Sequence, residues 1–306
     1  MKNLAKKTLN AIVFAGIVFS APIVTAAPAE VNGLLQTGGI NGLQDSDRDR
    51  ILRVSNGAGD VTYNGTNYDL ITSGTWQIGD VFQAALKFDS LDWLDGAGNT
   101  INSQNLSSLA HPIGLYGYSE IKVDTITDVV LGGSVVAQTL TFSGANILSN
   151  SNVLVELYEV NPDTLDIFGF GVQANTAINT VRGLNPVAEF GILGNDFWTA
   201  TVGTDISQLA SGYGSNQQAA GTSGLSLISN AGGLPIEADG VFSDTSGFNH
   251  DLVGNASAFG AGSNGWLVNT NSTVFFKTTV PEPHTLALMG IAMLMFGANS
   301  ARNRRS

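Results

Sequence analysis

The chain has 306 residues, no cysteine and a formal net charge of −12 at pH 7. Without cysteine it has no disulfide framework, thiol nucleophile or thiolate metal site. Three lysines precede residue 30, three arginines follow residue 300, and Glu282 is the one acid outside 30–279, so this central span carries 24 acids against 7 bases, or −17. A surface this acidic repels nucleic acid and anionic membranes, which excludes nucleic-acid binding.

The first 29 residues have the order of segments found in a secretory signal peptide. Three lysines within the first seven residues precede an apolar run over 11–19, and small residues follow as far as Ala29. The apolar run is too short to cross a membrane comfortably, and its flanks are typical of a cleaved leader. We therefore expect a signal helix within 1–29, cleavage after Ala26 or Ala29, and export of the rest of the chain.

Residues 30–279 are predicted to form one all-β domain with a sandwich or jelly-roll-like fold. Short β-branched and aromatic runs recur between turn signals, as in other all-β folds. Asn64-Gly65 predicts a tight hairpin, because both residues tolerate positive φ. The predicted strands are 51–55, 61–63, 68–72, 75–78, 81–88, 121–126, 134–142, 153–160, 165–170, 190–193, 197–202, 266–268 and 273–279.

A segment rich in Gly, Ser, Ala and Gln covers residues 203–240. This composition is typical of a long loop or a linker. The predicted strands after it are too few to form a stable sheet of their own. We therefore expect a long loop inside one domain rather than a domain boundary.

Three carboxylates at alternate positions, Asp45, Asp47 and Asp49, are the candidate metal ligands. Hard oxygen ligands at this spacing resemble the start of a calcium loop. Arg50 stands at the sixth position, where such loops need glycine, and Asn56 stands at the twelfth, where they need glutamate. Calcium is therefore a weak hypothesis. The alternative is a solvated loop in which these acids pair with nearby arginines: Arg48, Arg50 and Arg53.

Catalytic constellations are not visible in the sequence. The central span has two histidines, His111 and His250, and no Gly-x-Ser-x-Gly motif. Two distant histidines do not give zinc-ligand spacing, and paired carboxylates for glycoside hydrolysis require separations that a sequence does not give. Residues 260–265 match a dinucleotide-binding fingerprint, but a strand-like run follows where a helix should begin. We expect no enzymatic activity and no cofactor.

The end of the chain combines a rigid polar motif, an apolar segment and a basic stop. Pro281, Glu282 and Pro283 form the motif, and the two prolines keep it extended. Residues 285–298 are apolar but shorter than the ~20 residues of an ordinary membrane-crossing helix. The positive-inside rule leaves the basic stop in the cytoplasm. The basic residues of this stop are Arg302, Arg304 and Arg305.

This order of elements resembles the PEP-CTERM sorting tail of exported bacterial proteins, also catalogued as the ice-binding-protein C-terminal domain. The resemblance covers 280–306 and implies a hydrophobic sorting helix that a membrane enzyme, exosortase, recognises. It implies transient residence in the inner membrane, followed by the cell surface, the outer membrane or the extracellular space. It also implies a structural role in exopolysaccharide, biofilm or floc. The central span has no regular Thr-x-Thr ladder of the kind expected for ice binding.

Two alternatives come from other functional classes. The first is a secreted module that binds polysaccharide through exposed aromatic rings. The second, with less support, is a secreted glycan hydrolase. The aromatic residues available as platforms are Trp76, Trp93, Trp198, Tyr213 and Trp266.

Overall fold

The computed structural model describes residues 29–150, 152–211, 220–243 and 245–280. The predicted signal helix over 1–29, apart from Ala29, lies outside the described residues. So do the sorting motif, the apolar segment and the basic stop. In the ranges that are described, no helix combines the length and the apolar character that a membrane crossing requires.

The described residues are mainly β-structure, which confirms the all-β class. Two helices accompany the strands, α1 (Ala174–Arg182) and α2 (Ser207–Ala210), with short 3-10 turns at Glu30–Gly33 and Leu106–Ser108. The strands are β1 (Ile40–Val54), β2 (Val61–Tyr63), β3 (Thr66–Leu70), β4 (Val81–Leu94), β5 (Thr100–Asn105), β6 (Gly114–Leu131), β7 (Ser134–Gly144), β8 (Val153–Val160), β9 (Pro186–Gly191), β10 (Phe197–Val202), β11 (Ala220–Ser229), β12 (Val241–Phe242), β13 (Asn249–His250), β14 (Leu252–Ala261) and β15 (Val268–Lys277).

The main sheet closes on itself. Antiparallel pairings run from β1 to β4, β6, β8, β9, β11, β14 and β15, and β15 pairs with β1 again. Strands β6 and β11 are joined by two pairs of strands: β8 with β9, and β7 with β10. The first half of β6 pairs with β8 and the second half with β7, so the two strand pairs lie at opposite ends of β6.

This closed ring replaces the expected pair of separate sheets. Strands β1, β4 and β6 have 15, 14 and 18 residues, which is long enough to bend around the interior and pair along both edges. Register shifts interrupt several of the pairings, including the one between β1 and β4 at Gln44/Asp45. Such bulges increase local twist and curvature, which a closed sheet requires.

Apolar side chains fill two layers. The larger cluster lies inside the ring and includes Phe88, Leu157 and Phe190. Burying each such side chain stabilises the fold by about 1.5–3 kcal/mol. The second cluster lies outside the ring, where α1 covers the outer face of β4 and β6. Its buried residues Ala174, Ala177, Ile178 and Val181 follow helical spacing and pack in the same cluster as Tyr116 and Tyr118.

Several predicted strands are confirmed, and the reasons are local. The hairpin at Asn64-Gly65 forms between β2 and β3, with φ of 49° and 80° at the two turn residues. The predicted strands 153–160 and 197–202 coincide with β8 and β10. In each case the β-branched or aromatic run ends at residues that favour turns.

Other predicted strands are wrong. Residues 75–78 and 165–170 form turns and irregular backbone instead. The strands predicted over 266–268 and 273–279 are not separate, because one strand, β15, covers most of this range and pairs with β14 and β1. Residues 203–240 are not one long loop, because β11 lies within them and pairs with three strands. Its small residues make it resemble a loop in the sequence. At Gly224 the small residue is required by packing, since a Cβ there would lie 2.5 Å from Cδ2 of His250.

Candidate functional site

The three candidate ligands lie on one strand. Asp45, Asp47 and Asp49 occupy alternate positions in the middle of β1, so they share one face of the sheet. Asp45 and Asp47 are buried, with 5% and 6% of their surface exposed, and Asp49 is partly buried. We call these three residues the aspartate row.

The neighbouring strand β15 supplies the polar contacts of the aspartate row. Oγ of Ser272 lies 2.8 Å from Oδ1 of Asp45 and 2.8 Å from Oδ2 of Asp47. The backbone N–H of Ser272 donates to Asp45, and the Thr270 hydroxyl donates to Asp49. A serine hydroxyl has one hydrogen, so it donates to only one of the two carboxyls at a time. The other contact requires a protonated carboxyl that donates to Ser272.

Burial raises the pKa of all three carboxyls. The pKa of Asp47 rises to about 6 because burial disfavours its charged form, against the opposing hydrogen bonds from Ser272 and Thr270. Burial is also the main reason why the pKa values of Asp45 and Asp49 lie well above the ordinary value, and the charge of Asp47 raises both further. The row therefore holds protons at a pH where surface aspartates are ionised.

Two oxygens of the row have no partner among the described residues. They are Oδ2 of Asp45 and Oδ1 of Asp47, and both are shielded from solvent. A buried polar atom without a hydrogen bond costs about 1–3 kcal/mol. The row is therefore an energetically expensive arrangement.

The nearby arginines do not neutralise the row, contrary to the alternative expected from the sequence. Arg48 and Arg50 alternate with the aspartates and belong to the opposite face of β1. Arg48 stacks over the Phe168 ring at 4.7 Å, and Arg53 pairs with Asp80 at 2.6 Å. Across the described ranges, no salt bridge joins an arginine to the aspartate row.

Arg50 is buried in a polar network outside the ring. Its guanidinium donates to Gln83 at 2.8 and 3.0 Å, to Asn175 at 2.6 Å and to the Tyr63 hydroxyl at 2.5 Å. Gln83 in turn donates to Glu120, which also accepts from two backbone N–H groups. The arginine and the carboxylate are thus linked through one amide, and both charges are hydrogen-bonded.

A cavity of about 130 Å³ occupies the interior of the ring. Asp47 and Asp49 line it together with mainly apolar side chains. Exposed Ala220 and Asn255 also belong to the lining, so the cavity reaches solvent beside β11 and β14. Among the lining residues that the structure describes, none is Lys, Arg or His. Large apolar members of the lining include Phe82, Phe88, Phe142, Leu157, Trp198 and Leu252.

The aspartate row does not have the form of a calcium loop. Calcium takes six to eight oxygens at ~2.3–2.6 Å, whereas Asp45 and Asp49 are ~13 Å apart along an extended strand. The part of the chain that is described contains no group of three or more His, Cys, Asp or Glu side chains arranged for a metal ion. Calcium binding by these residues stays a prediction without a matching geometry.

His250 forms a hydrogen-bonded chain that the sequence did not indicate. Its Nδ1 lies 2.7 Å from Oδ1 of Asp196, and its Nε2 lies 2.9 Å from Oγ of Ser246. This is the order of groups in a serine-hydrolase triad. However, the Ser246 oxygen also accepts from the Phe248 N–H, and the imidazole is buried against Phe197. These contacts are those of a structural cross-link between a turn and β13. Only the fold brings residues 196 and 250 together.

The tryptophans serve packing rather than an exposed platform. Trp76 and Trp266 are buried, and the Trp76 indole donates to the Gly203 carbonyl at 2.7 Å. Trp93 is partly buried and donates to Leu34, and Trp198 lines the interior cavity. Tyr213 lies outside the described residues. The four tryptophans therefore give no support to a stacking surface for sugars.

The comparison with protein families identifies the tail. A family model described as the PEP-CTERM protein-sorting motif matches residues 279–305. This range includes Pro281, Glu282 and Pro283 and the basic stop. The motif indicates export through an exosortase system, with processing at the membrane. No curated protein matches the chain.

Proposed function

We propose that the protein is an exported cell-surface or extracellular-matrix component with a structural, non-enzymatic role in exopolysaccharide, biofilm or floc. The observation that carries this proposal is the sorting motif over 279–305, which sends the domain out of the cytoplasm. The domain itself suits that location, because a cysteine-free closed sheet depends on no redox environment. Its excess of acids favours solubility outside the cell.

The proposed partner is extracellular polysaccharide, with exosortase as the processing enzyme. Strand β5 offers a surface for such contacts, because it pairs only with β4 among the described strands and exposes a polar sequence. Thr100, Asn102 and Ser103 are exposed there. Such side chains exchange hydrogen bonds with sugar hydroxyls, although each contact contributes little.

The sorting step is tested by deleting residues 281–306 and following mature mass and location by fractionation. We expect the deletion to abolish membrane-dependent processing and to change where the protein accumulates. Replacing Glu282 by Gln, with both prolines kept, is the narrower variant. A matched control replaces the exposed Asp124 by Asn. An unchanged mature mass and location after the deletion would count against the sorting role.

The matrix role needs a separate measurement. A strain without the protein should form weaker flocs or less cohesive biofilm, and purified cell polysaccharide should retain the wild-type protein in a pull-down. Incubation with a panel of glycans should release no sugar. Normal flocs together with absent polysaccharide retention would refute the matrix role and leave export intact, and glycan cleavage would replace it with the hydrolase alternative.

A further inference from the structure

The size of the interior cavity sets the kind of molecule that it accepts. A dry protein cavity of roughly 150 Å³ holds a molecule the size of benzene. The cavity inside the ring, at about 130 Å³, is of similar size and mostly apolar. Rings of about eight strands are just wide enough to hold one small ligand when side chains leave space. The hydrocarbon part of an occupant therefore has roughly six or seven carbon atoms.

The polar groups that line the cavity determine which polar group a ligand needs in addition to its hydrocarbon part. Asp47 is more than nine-tenths buried, lines the cavity, and has in Oδ1 an oxygen without a partner among the described residues. Asp49 lines the same cavity two residues further along β1. Carboxylates accept hydrogen bonds, so the matching ligand group is a donor.

The charge of the lining favours a cationic donor over a neutral one. A buried carboxylate is stable only when it is paired or protonated. The described lining has two carboxyls and no basic side chain. Arg48 and Arg50 are engaged on the outer face of β1, and Arg53 pairs with Asp80. An ammonium group brings one positive charge and three donors, which fits two adjacent carboxyls.

We propose that the interior of the ring binds a small apolar molecule bearing a primary ammonium group, with its hydrocarbon part among the cavity's apolar side chains and its nitrogen on Asp47 and Asp49. The ammonium donates to Oδ1 of Asp47, which removes an unpaired buried oxygen. Phe88 and Leu157 contact the hydrocarbon part. This inference does not depend on the matrix role or on the sorting tail.

The experiment compares three probes of nearly the same shape on the full-length protein at pH 7. Benzylamine is cationic, benzyl alcohol is neutral and phenylacetate is anionic. Binding is measured by calorimetry and by the shift in melting temperature. We expect benzylamine to bind about tenfold or more tightly than benzyl alcohol, because its hydrogen bonds to carboxylates are charge-assisted. Phenylacetate should give no shift, since at pH 7 its charge repels the ionised Asp47 carboxylate.

Substitutions locate the binding. Asp47→Asn should weaken benzylamine by about tenfold and leave benzyl alcohol unchanged, because only the charge interaction is removed. Asp124→Asn, on an exposed position of β6, is the matched control and should change neither probe. Ala84→Leu fills the cavity and should abolish binding of both probes.

Three results would overturn the proposal. These are equal affinity for benzylamine and phenylacetate, no binding of benzylamine at all, or benzylamine binding that Asp47→Asn leaves intact. Should Ala84→Leu fail to fold, the comparison of Asp47→Asn with Asp124→Asn still decides the outcome, since both substitutions nearly preserve side-chain volume.

Discussion

The two faces of β1 carry charged side chains into different surroundings. On the outer face, Arg50 is almost fully buried, yet its guanidinium makes four hydrogen bonds and reaches Glu120 through Gln83. On the inner face, Asp45 and Asp47 are as well buried but keep two unpaired oxygens. Stability alone accounts for the outer network. The inner row weakens the fold unless protons or a ligand compensate it.

The largest expected effect comes from a substitution in the hydrogen-bonded network on the outer face of β1. Arg50→Ala should lower the free energy of unfolding by about 3–5 kcal/mol, because it removes a buried charge from the network that reaches Glu120 and leaves Oε1 of Gln83 without its donor. Urea denaturation measures the loss. Arg48→Ala, on the same face but partly exposed, is the control and should cost about 1 kcal/mol or less. Equal losses of stability for the two variants would contradict the view that the buried Arg50 network contributes more to the fold than Arg48 does.

The second prediction concerns the aspartate row on the inner face and the dependence of the free energy of unfolding on pH. The folded pKa of Asp47, about 6, lies above the ordinary 3.8, so the native state binds this proton more tightly than the unfolded state does. The stabilisation is complete below about pH 4 and is lost as pH rises to about 6, a change of about 3 kcal/mol. Asp45 and Asp49 act in the same direction.

Asp47→Asn should therefore flatten the pH dependence. Between pH 4 and 7 the variant should lose about 3 kcal/mol less stability than the wild type, measured by urea denaturation at each pH. It also removes the charge that raises the pKa values of Asp45 and Asp49, which flattens the profile further. Parallel profiles for the two proteins would show that Asp47 ionises as freely in the fold as in the unfolded chain.

The third prediction concerns His250, whose two ring nitrogens are hydrogen-bonded to Asp196 and Ser246, as the Arg50 guanidinium is to its own partners. His250→Ala should cost about 2–3 kcal/mol, because it opens a cavity and leaves Oδ1 of the buried Asp196 side chain without its partner. Ser246→Ala should cost about 1 kcal/mol or less, since Ser246 is only partly buried.

If the hydrogen bonds that join Asp196, His250 and Ser246 are structural, Ser246 should not react as a nucleophile. A fluorophosphonate probe should not label Ser246, whose oxygen accepts from the Phe248 N–H. Ser246→Ala is the control for nonspecific labelling. Labelling that this substitution removes would show a nucleophile and overturn the non-enzymatic expectation.

The sequence predicted what depends on neighbours along the chain. The all-β class, the Asn64-Gly65 hairpin and the tail motif follow from local patterns, and the structure or the family comparison confirms them. The closure of the sheet was not predictable in this way, because it depends on pairings such as Asp45 with Ser272, which are 227 residues apart. Strand β11 was missed because its glycine and serine residues resemble a loop in the sequence, although Gly224 is required by packing against His250.

The aspartate row shows the same limit at the site. Its three residues were identified as candidates, but alternation at i, i+2 and i+4 fits an extended strand as well as a metal loop. The partners that decide its chemistry, Ser272 and Thr270, lie on β15. Nothing near Asp45 in the chain indicates them. The cavity that the row lines is also a product of the closed ring.

The pairing of β1 with β15 has a consequence for the timing of folding during export. Ile40 at the start of β1 lies beside Lys277 at the end of β15, so the sheet closes only when its first and last strands pair with each other. A chain that crosses a membrane from its amino end cannot finish this pairing until residue 277 has emerged. The sorting motif begins two residues later, at 279. A domain exported in this direction completes its fold next to the membrane, when the tail arrives there.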